Sequence, residues 1–196
     1  KTYYPMQPDE FTKLSKEFLN INGVSFLGGC CGTTPAHIEA LAKAVENDIP
    51  LKPCGFLKAS LASLFGTVPL KQEPAPLLIG ERSNATGSKA FRELLKANDY
   101  EGTLSVGQQQ VRAGAHVIDV SVGFAGRDER VDMDAVTALY SQKVALPLMP
   151  DSTQIYALEA ALKQIGGRAI INSVNLEDGV EKFDAVCSLA KKFGAA

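Results

Sequence analysis

Two adjacent cysteines, Cys30 and Cys31, lie in a glycine-rich stretch with the sequence VSFLGGCCGTTP. Neighbouring cysteines rarely bond to each other, because a disulfide requires a particular dihedral angle and Cα separation. Both thiolates can bind one metal ion where the backbone is flexible, and the flanking glycines supply that freedom. The alternative is a glycine-rich turn in which the cysteines are small buried apolar residues. These residues by themselves leave both interpretations open.

Polar side chains also lie near the carboxyl ends of four apolar runs later in the chain. They are Asn84, Asp119, Asp151 and Asn172. Their carboxylates and amides could bind a flat heterocycle that is rich in hydrogen-bond donors and acceptors. The alternative is that they cap the helices that follow, since Asp, Asn and Ser are favoured N-cap residues. Capping explains less for Asp119, Asp151 and Asn172, so we predict that these three face a ligand.

Strands and helices alternate in the region that carries these polar residues. The apolar runs predict strands over 76–82, 116–122, 146–151 and 168–174. Between and after them, helical spacing of apolar residues predicts amphipathic helices over 91–97, 104–113, 133–143, 155–165 and 180–193. Such alternation indicates an α/β fold with a parallel sheet covered by helices. Four of these units fit half of a (β/α)8 barrel of the TIM type, whose functional residues gather at the carboxyl ends of the strands.

The cysteines belong to a different part of the chain. A short buried strand is predicted over 24–27, with an amphipathic helix before it and another after the cysteines, where Thr34 is the expected N-cap. Residues 50–76 then contain five prolines between short apolar pieces, which predicts a connection between domains that packs partly on its neighbours. We therefore predict that residues 1–49 end one domain and that residues 77–196 begin a second.

Composition argues against several classes of protein. The 196 residues have a formal net charge of −2, which suggests neither a nucleic acid nor a membrane partner. No apolar run approaches the length of a membrane-spanning helix, and the first residues lack the apolar core of a signal peptide. Four cysteines, two of them adjacent, do not resemble a secreted disulfide framework. We expect a cytoplasmic protein with reduced thiols.

The string GGCCGTTPAHI resembles the zinc-binding loop of the homocysteine S-methyltransferase barrels. This resemblance implies that Cys30 and Cys31 are zinc ligands, completed by a third thiolate from outside this chain. It also implies that zinc activates the thiol of homocysteine as a nucleophile.

Four later motifs resemble the pterin-binding barrels: IGERSNATGSKAF, GAHVIDVSVG, LPLMPDST and GGRAIINSVN. That family includes methyltetrahydrofolate:corrinoid methyltransferases and, more distantly, dihydropteroate synthase, and the resemblance covers residues 77–196. It implies that Asp151 and Asn172 hydrogen-bond the pterin ring of methyltetrahydrofolate. It also implies that Asn84 and Asp119 face the same ligand.

The order of the two resemblances is that of the cobalamin-dependent methionine synthase family. It implies methyl transfer from methyltetrahydrofolate through cobalamin to homocysteine, giving methionine and tetrahydrofolate. The cobalamin would be bound by another domain of the same protein, because this chain contains no DxHxxG segment. Under this interpretation the chain holds the end of one barrel and the first four units of the next.

Two other interpretations stay open. The chain could belong to a free-standing corrinoid methyltransferase or to a pterin-condensing synthase, although the cysteine pair counts against both. It could also act without catalysis, as a rigid scaffold on which mobile cobalamin domains dock.

Overall fold

The computed structural model describes residues 3–21, 24–49 and 58–196. The chain divides into two compact units, residues 1–57 and 58–196. Among the described residues, none of the helices combines the length and apolar character needed to cross a membrane.

The first unit contains two helices that pack against each other. Helix α1 (Pro8–Glu17) continues into a short 3-10 turn, and α2 (Pro35–Val45) begins after Thr34, which confirms the predicted N-cap. His37 in the first turn of α2 is buried, and its Nδ1 lies 2.8 Å from Thr34 Oγ1. Its Nε2 lies 3.0 Å from the carbonyl oxygen of Met6. The ring therefore ties the start of α2 to the segment before α1.

The strand predicted over 24–27 is wrong. These residues form no strand, and Phe26 is 94% exposed. An isolated strand is not stable without sheet neighbours, and the described part of this unit contains none for it. Cys30 and Cys31 consequently lie on an exposed turn, closed by a hydrogen bond from the Thr33 N–H to the Cys30 carbonyl, rather than after a buried strand.

The second unit has a parallel sheet flanked by helices, which confirms the predicted α/β class. Strands β3 (Ile79–Asn84), β4 (Val117–Ser121) and β5 (Leu148–Pro150) lie side by side in this order and run parallel. The helices between and after them are α3 (Lys89–Lys96), α4 (Tyr100–Arg112), α5 (Glu129–Lys143), α6 (Ile155–Gln164) and α7 (Val180–Phe193). Each predicted helix is therefore present, with bounds that differ by a few residues.

The predicted fourth strand, 168–174, is not a regular strand. Its backbone pairs with the end of β5 at single points: the Asn172 N–H donates to the Pro150 carbonyl at 3.0 Å, and the Ser152 N–H donates to the Asn172 carbonyl at 2.8 Å. At its start, Arg168 pairs antiparallel with Ala62 instead. The Ile170 N–H also donates to the Leu148 carbonyl at 3.3 Å, but Pro150 has no N–H to donate back, so the ladder is interrupted there, and Asn172 lies beside Asp151.

Part of the predicted connection over 50–76 is an ordered hairpin of the second unit. Strands β1 (Ser60–Ala62) and β2 (Thr67–Pro69) pair antiparallel. Leu61, the middle residue of β1, is fully buried against Val117 and Met149 of the sheet. Residues 50–57 lie outside the described residues.

The main core lies between the sheet and helices α3 to α6. Its largest fully buried side chains include Tyr140, Phe91 and Ile118, and burial of each apolar side chain contributes roughly 1.5–3 kcal/mol. Side chains alternate along β4, so Ile118 and Val120 enter this core while Val117 and Asp119 face the other side of the sheet. The hairpin covers Val117. Asp119 lies on the same face as Val117, two residues closer to the carboxyl end of β4.

Candidate functional site

Asp119 is a buried carboxylate near the carboxyl end of β4. Its exposed fraction is 3%, and its Oδ1 accepts a hydrogen bond from Asn172 Nδ2 at 3.3 Å. Asn172 in turn pairs through its backbone with Asp151, the residue after β5. Three of the predicted site residues, Asp119, Asp151 and Asn172, are therefore neighbours at one edge of the sheet.

The acidic groups at this edge influence one another. The pKa of Asp119 is raised to about 6, chiefly by burial, and the negative charges of Asp151 and Glu81 add to the rise. The hydrogen bond from Asn172 opposes it. The pKa of Asp151 is also raised, by burial first and by the charge of Glu81, against a hydrogen bond from Ser121. Three carboxylates thus share this edge of the sheet.

Glu81 stands opposite Asp119 at an irregularity in β3. Gly80 pairs with Ile118, and Ser83 pairs with Val120, so Glu81 and Arg82 together stand opposite Asp119 alone. Such a bulge places an extra residue in one strand and redirects its side chain. The sequence places Glu81 among the polar residues at the end of the first predicted strand, but not among the four residues predicted to face the ligand, and the bulge is visible only in the structure.

Asn84 lies at the end of β3, at the same edge of the sheet. Its Oδ1 accepts hydrogen bonds from the N–H groups of Thr86 and Gly87, at 2.9 and 2.7 Å. This side chain shapes the loop after β3, as in an Asx turn. Asn84 and Glu81 also line one small cavity. The structure thus places Asn84 near the carboxylates, with its carbonyl oxygen already bound by the loop.

An open cleft of about 900 Å³ extends from the carboxyl ends of β4 and β5. Ser121 and Asp151 line it on the side of the sheet, and the first turn of α5 lines it on another. Ser152 fixes these elements to each other, because its Oγ donates to Glu129 Oε1 and accepts from the Gln154 N–H. The loops after β4 and β5 supply most of the remaining lining, and the hydrogen bond from Ser152 to Glu129 holds one of them to the start of α5.

Arg127 also lines this cleft, but its charge is already compensated. Its Nε and an Nη donate to the two carboxylate oxygens of Asp132, both at 2.6 Å. Asp132 is 1% exposed and also accepts from the Tyr100 hydroxyl at 2.7 Å. The hydrogen bond to Asp132 raises the pKa of Arg127 further above its ordinary value. Arg127 therefore stabilises the loop after β4 rather than offering an open cation.

The cysteine pair of the first unit has the spacing that a zinc site needs. Cys30 Sγ and Cys31 Sγ lie 3.8 Å apart, and both thiols are exposed. Two sulfurs of a tetrahedral zinc site, each about 2.3 Å from the metal, are about 3.8 Å apart. Exposure contradicts the alternative of two buried apolar cysteines. Within residues 3–21, 24–49 and 58–196, no third acidic, histidine or cysteine side chain completes a metal-binding group.

The carboxylates at the sheet edge offer acceptors in a partly buried setting. A ligand that presents two adjacent N–H donors can be held by one carboxylate in paired fashion, and burial strengthens such hydrogen bonds. The neighbouring amide of Asn172 can donate or accept. The arrangement therefore suits a flat, nitrogen-rich heterocycle better than an anion.

Comparisons with known proteins agree with both parts of the sequence interpretation. Residues 80–196 match the family described as Pterin binding enzyme, and residues 1–45 match Homocysteine S-methyltransferase. Methionine synthase of Mycobacterium tuberculosis (strain H37Rv) is 43% identical over 197 residues, which covers 98% of this chain and 16% of that protein. Methionine synthase of Mycobacterium leprae (strain TN) is 41% identical over 207 residues, with 98% and 17% covered.

The chain thus spans about one sixth of the length of these curated relatives. The match to the pterin binding enzymes extends over more than half of the chain and contains all four residues predicted to face the ligand, Asn84, Asp119, Asp151 and Asn172. On this basis the chain belongs to the pterin binding enzyme family.

Proposed function

We propose that this chain is part of a methyltransferase that moves a methyl group from methyltetrahydrofolate through cobalamin to homocysteine, giving methionine and tetrahydrofolate. The two curated relatives named methionine synthase support this proposal, as do the family matches in their order along the chain. In this proposal residues 77–196 bind methyltetrahydrofolate as the first half of a (β/α)8 barrel. Cobalamin is bound by another domain of the same protein.

The observation that carries the proposal is the contact between Asp119 and Asn172 beside Asp151. The pterin ring presents its 2-amino group and an adjacent ring N–H along one edge, and a carboxylate can accept both. We assign this paired contact to Asp151, with Asn172 and Asn84 at other polar atoms of the ring. Asp119 orients the Asn172 amide through the hydrogen bond already present.

The cysteine pair belongs to the second half-reaction in this proposal. Cys30 and Cys31 provide two thiolate ligands for zinc, and a third comes from outside this chain. Their Sγ separation of 3.8 Å supports this assignment. Bound zinc would lower the pKa of the homocysteine thiol, so that the thiolate is available at neutral pH.

Calorimetry on the full-length protein tests the folate site. We expect Asp151→Asn and Asn172→Ala each to weaken methyltetrahydrofolate binding by about ten- to a hundredfold, because hydrogen bonds to charged groups contribute about 1.5–3 kcal/mol. For Asp151→Asn the loss should appear in affinity with little change in thermal stability, whereas Asn172→Ala also removes the hydrogen bond to the buried Asp119 and should lower the stability as well.

Asp184→Asn is the matched control, because Asp184 is an exposed aspartate on α7. It should leave methyltetrahydrofolate affinity unchanged. Undiminished affinity in both Asp151→Asn and Asn172→Ala would refute the proposed folate site.

A further inference from the structure

We propose that Gln110 of α4 is a positioning residue for the acidic edge of the sheet, holding the bulge of β3 that directs Glu81 toward Asp119 and Asp151. Gln110 lies on a helix behind the strand and is 5% exposed. The link to ligand binding rests on the proposed function; the link to the bulge does not.

The first observation is the hydrogen bond that replaces a strand contact. In a regular parallel ladder, strand N–H groups bond to the neighbouring strand. At the bulge, the Arg82 N–H instead donates to Gln110 Oε1 at 2.7 Å. A buried N–H without a partner is costly, so the bulge needs an acceptor of this kind. Gln110 supplies it from outside the sheet.

The second observation is that Gln110 is itself fixed. Its Nε2 donates to Ser83 Oγ at 2.9 Å and to the Val106 carbonyl at 3.3 Å. Ser83 Oγ lies 3.0 Å from the Tyr140 hydroxyl, which donates to the Thr103 carbonyl at 2.6 Å. Burial raises the pKa of Tyr140 to about 12, so this hydroxyl keeps its proton at neutral pH. Both ends of the Gln110 amide are therefore engaged on the two sides of the bulge.

The third observation is the space that Gly80 leaves. A Cβ added at Gly80 would lie 2.6 Å from Gln110 Oε1. The glutamine side chain passes over this glycine to reach Arg82. Ser83 is buried opposite Val120, so with Ser83 held there a strand without the bulge would set Glu81 opposite Ile118 and turn it to the other face of the sheet. Gln110 therefore acts on the site through β3, without lining the cleft.

A double-mutant cycle on the full-length protein tests this role. We expect Glu81→Gln and Gln110→Met each to weaken methyltetrahydrofolate binding about tenfold, and the double variant to be no weaker than about tenfold, because both changes remove the same interaction. Gln109→Met, at an exposed glutamine of the same helix, should bind as the unaltered protein does. Ser83→Ala, which removes only one contact of Gln110, should weaken binding about threefold. This variant takes the place of Gln110→Met in the cycle if Gln110→Met does not fold.

If Gln110→Met caused only a general loss of stability, it would lower the melting temperature by the same amount whether position 81 carries Glu or Gln. The affinity losses of Gln110→Met and Glu81→Gln would then be additive. Additive affinity losses would therefore overturn the proposal. A crystal structure of Gln110→Met decides the question without any ligand. We expect Glu81 to have turned away from Asp119; an unchanged bulge with Glu81 in place would overturn the proposal. Failure of the unaltered protein to bind methyltetrahydrofolate would count against the proposed function alone.

Discussion

Asp119 combines a buried position with a charge that the site requires. The fold places it beyond Val117 on the face covered by the hairpin, where it is 3% exposed. Its pKa in the folded protein, about 6, exceeds its ordinary value of 3.8. The folded state therefore binds more protons than the unfolded state between these pH values, and the stability of the fold decreases as the pH rises from about 4 to about 6. Above that range the carboxylate destabilises the protein.

We predict that Asp119→Asn stabilises the protein at pH 7 while it weakens binding of methyltetrahydrofolate. The free energy of unfolding in urea should increase by about 1–3 kcal/mol at pH 7, because a shift of one pKa unit corresponds to about 1.4 kcal/mol. At about pH 3 the change should be close to zero, since the carboxyl group is then largely neutral in both states. Asp184→Asn should change neither value, and a loss of stability at pH 7 would contradict the prediction.

The β1–β2 hairpin is attached to the sheet through a close backbone contact. A Cβ added at Gly167 would lie 2.2 Å from the Ala62 carbonyl oxygen and 3.2 Å from Ser63 Cα. These atoms belong to the backbone, so they cannot move aside as a flexible side chain could. The contact sits next to the antiparallel bridge between Ala62 and Arg168.

We predict that Gly167→Ala lowers the free energy of unfolding by about 2–4 kcal/mol, because the methyl group would separate the hairpin from the sheet. Gly66→Ala is the matched control in the hairpin turn, where an added Cβ meets nothing within 4 Å. It should change stability by less than about 0.5 kcal/mol. Urea unfolding followed by circular dichroism measures both, and equal effects of the two variants would show that the contact is unimportant.

The helices and the parallel sheet were predictable because their signals are local. Apolar residues such as Leu158 and Leu162 recur at helical spacing, and Ile118 and Val120 lie in a continuous apolar run. The segment over 168–174 shows where this fails. Its composition is that of a strand, but its ladder depends on the N–H groups of its partners, and Pro150 of β5 has none to donate, while Arg168 pairs with Ala62 of the hairpin.

The proposed folate site and the proposed zinc site differ in how complete they are within this chain. The acidic edge has its neighbours in place, whereas the cysteine pair has two sulfurs on an exposed turn and no third partner among the described residues. A zinc site of this kind needs three protein ligands and an open fourth position. In the proposed function the third thiolate comes from outside this chain.

We predict that the full-length protein binds one zinc ion tightly and that a fragment of residues 1–196 does not. Cys30→Ser and Cys31→Ser should each abolish stoichiometric zinc in the full-length protein, because a thiolate ligand is lost. Cys187→Ser is the control, since Cys187 is an exposed thiol on α7. Metal analysis after extensive dialysis measures all of these. Tight, stoichiometric zinc in the fragment would contradict the prediction.

The sequence by itself determined the α/β class, the order of the helices and the residue types at the strand ends, because these follow from periodicity and from short motifs. It also identified Asp119, Asp151 and Asn172 as candidates to meet at one edge. Only the tertiary structure decided how these groups are arranged: the hydrogen bond between Asp119 and Asn172, the bulge at Glu81 and Arg82 opposite Asp119, and the Gln110 side chain that binds this bulge. The physical reason is that a buried polar group must find a partner in space. That partner, 28 residues away for Arg82 and Gln110, is chosen by packing rather than by neighbouring sequence.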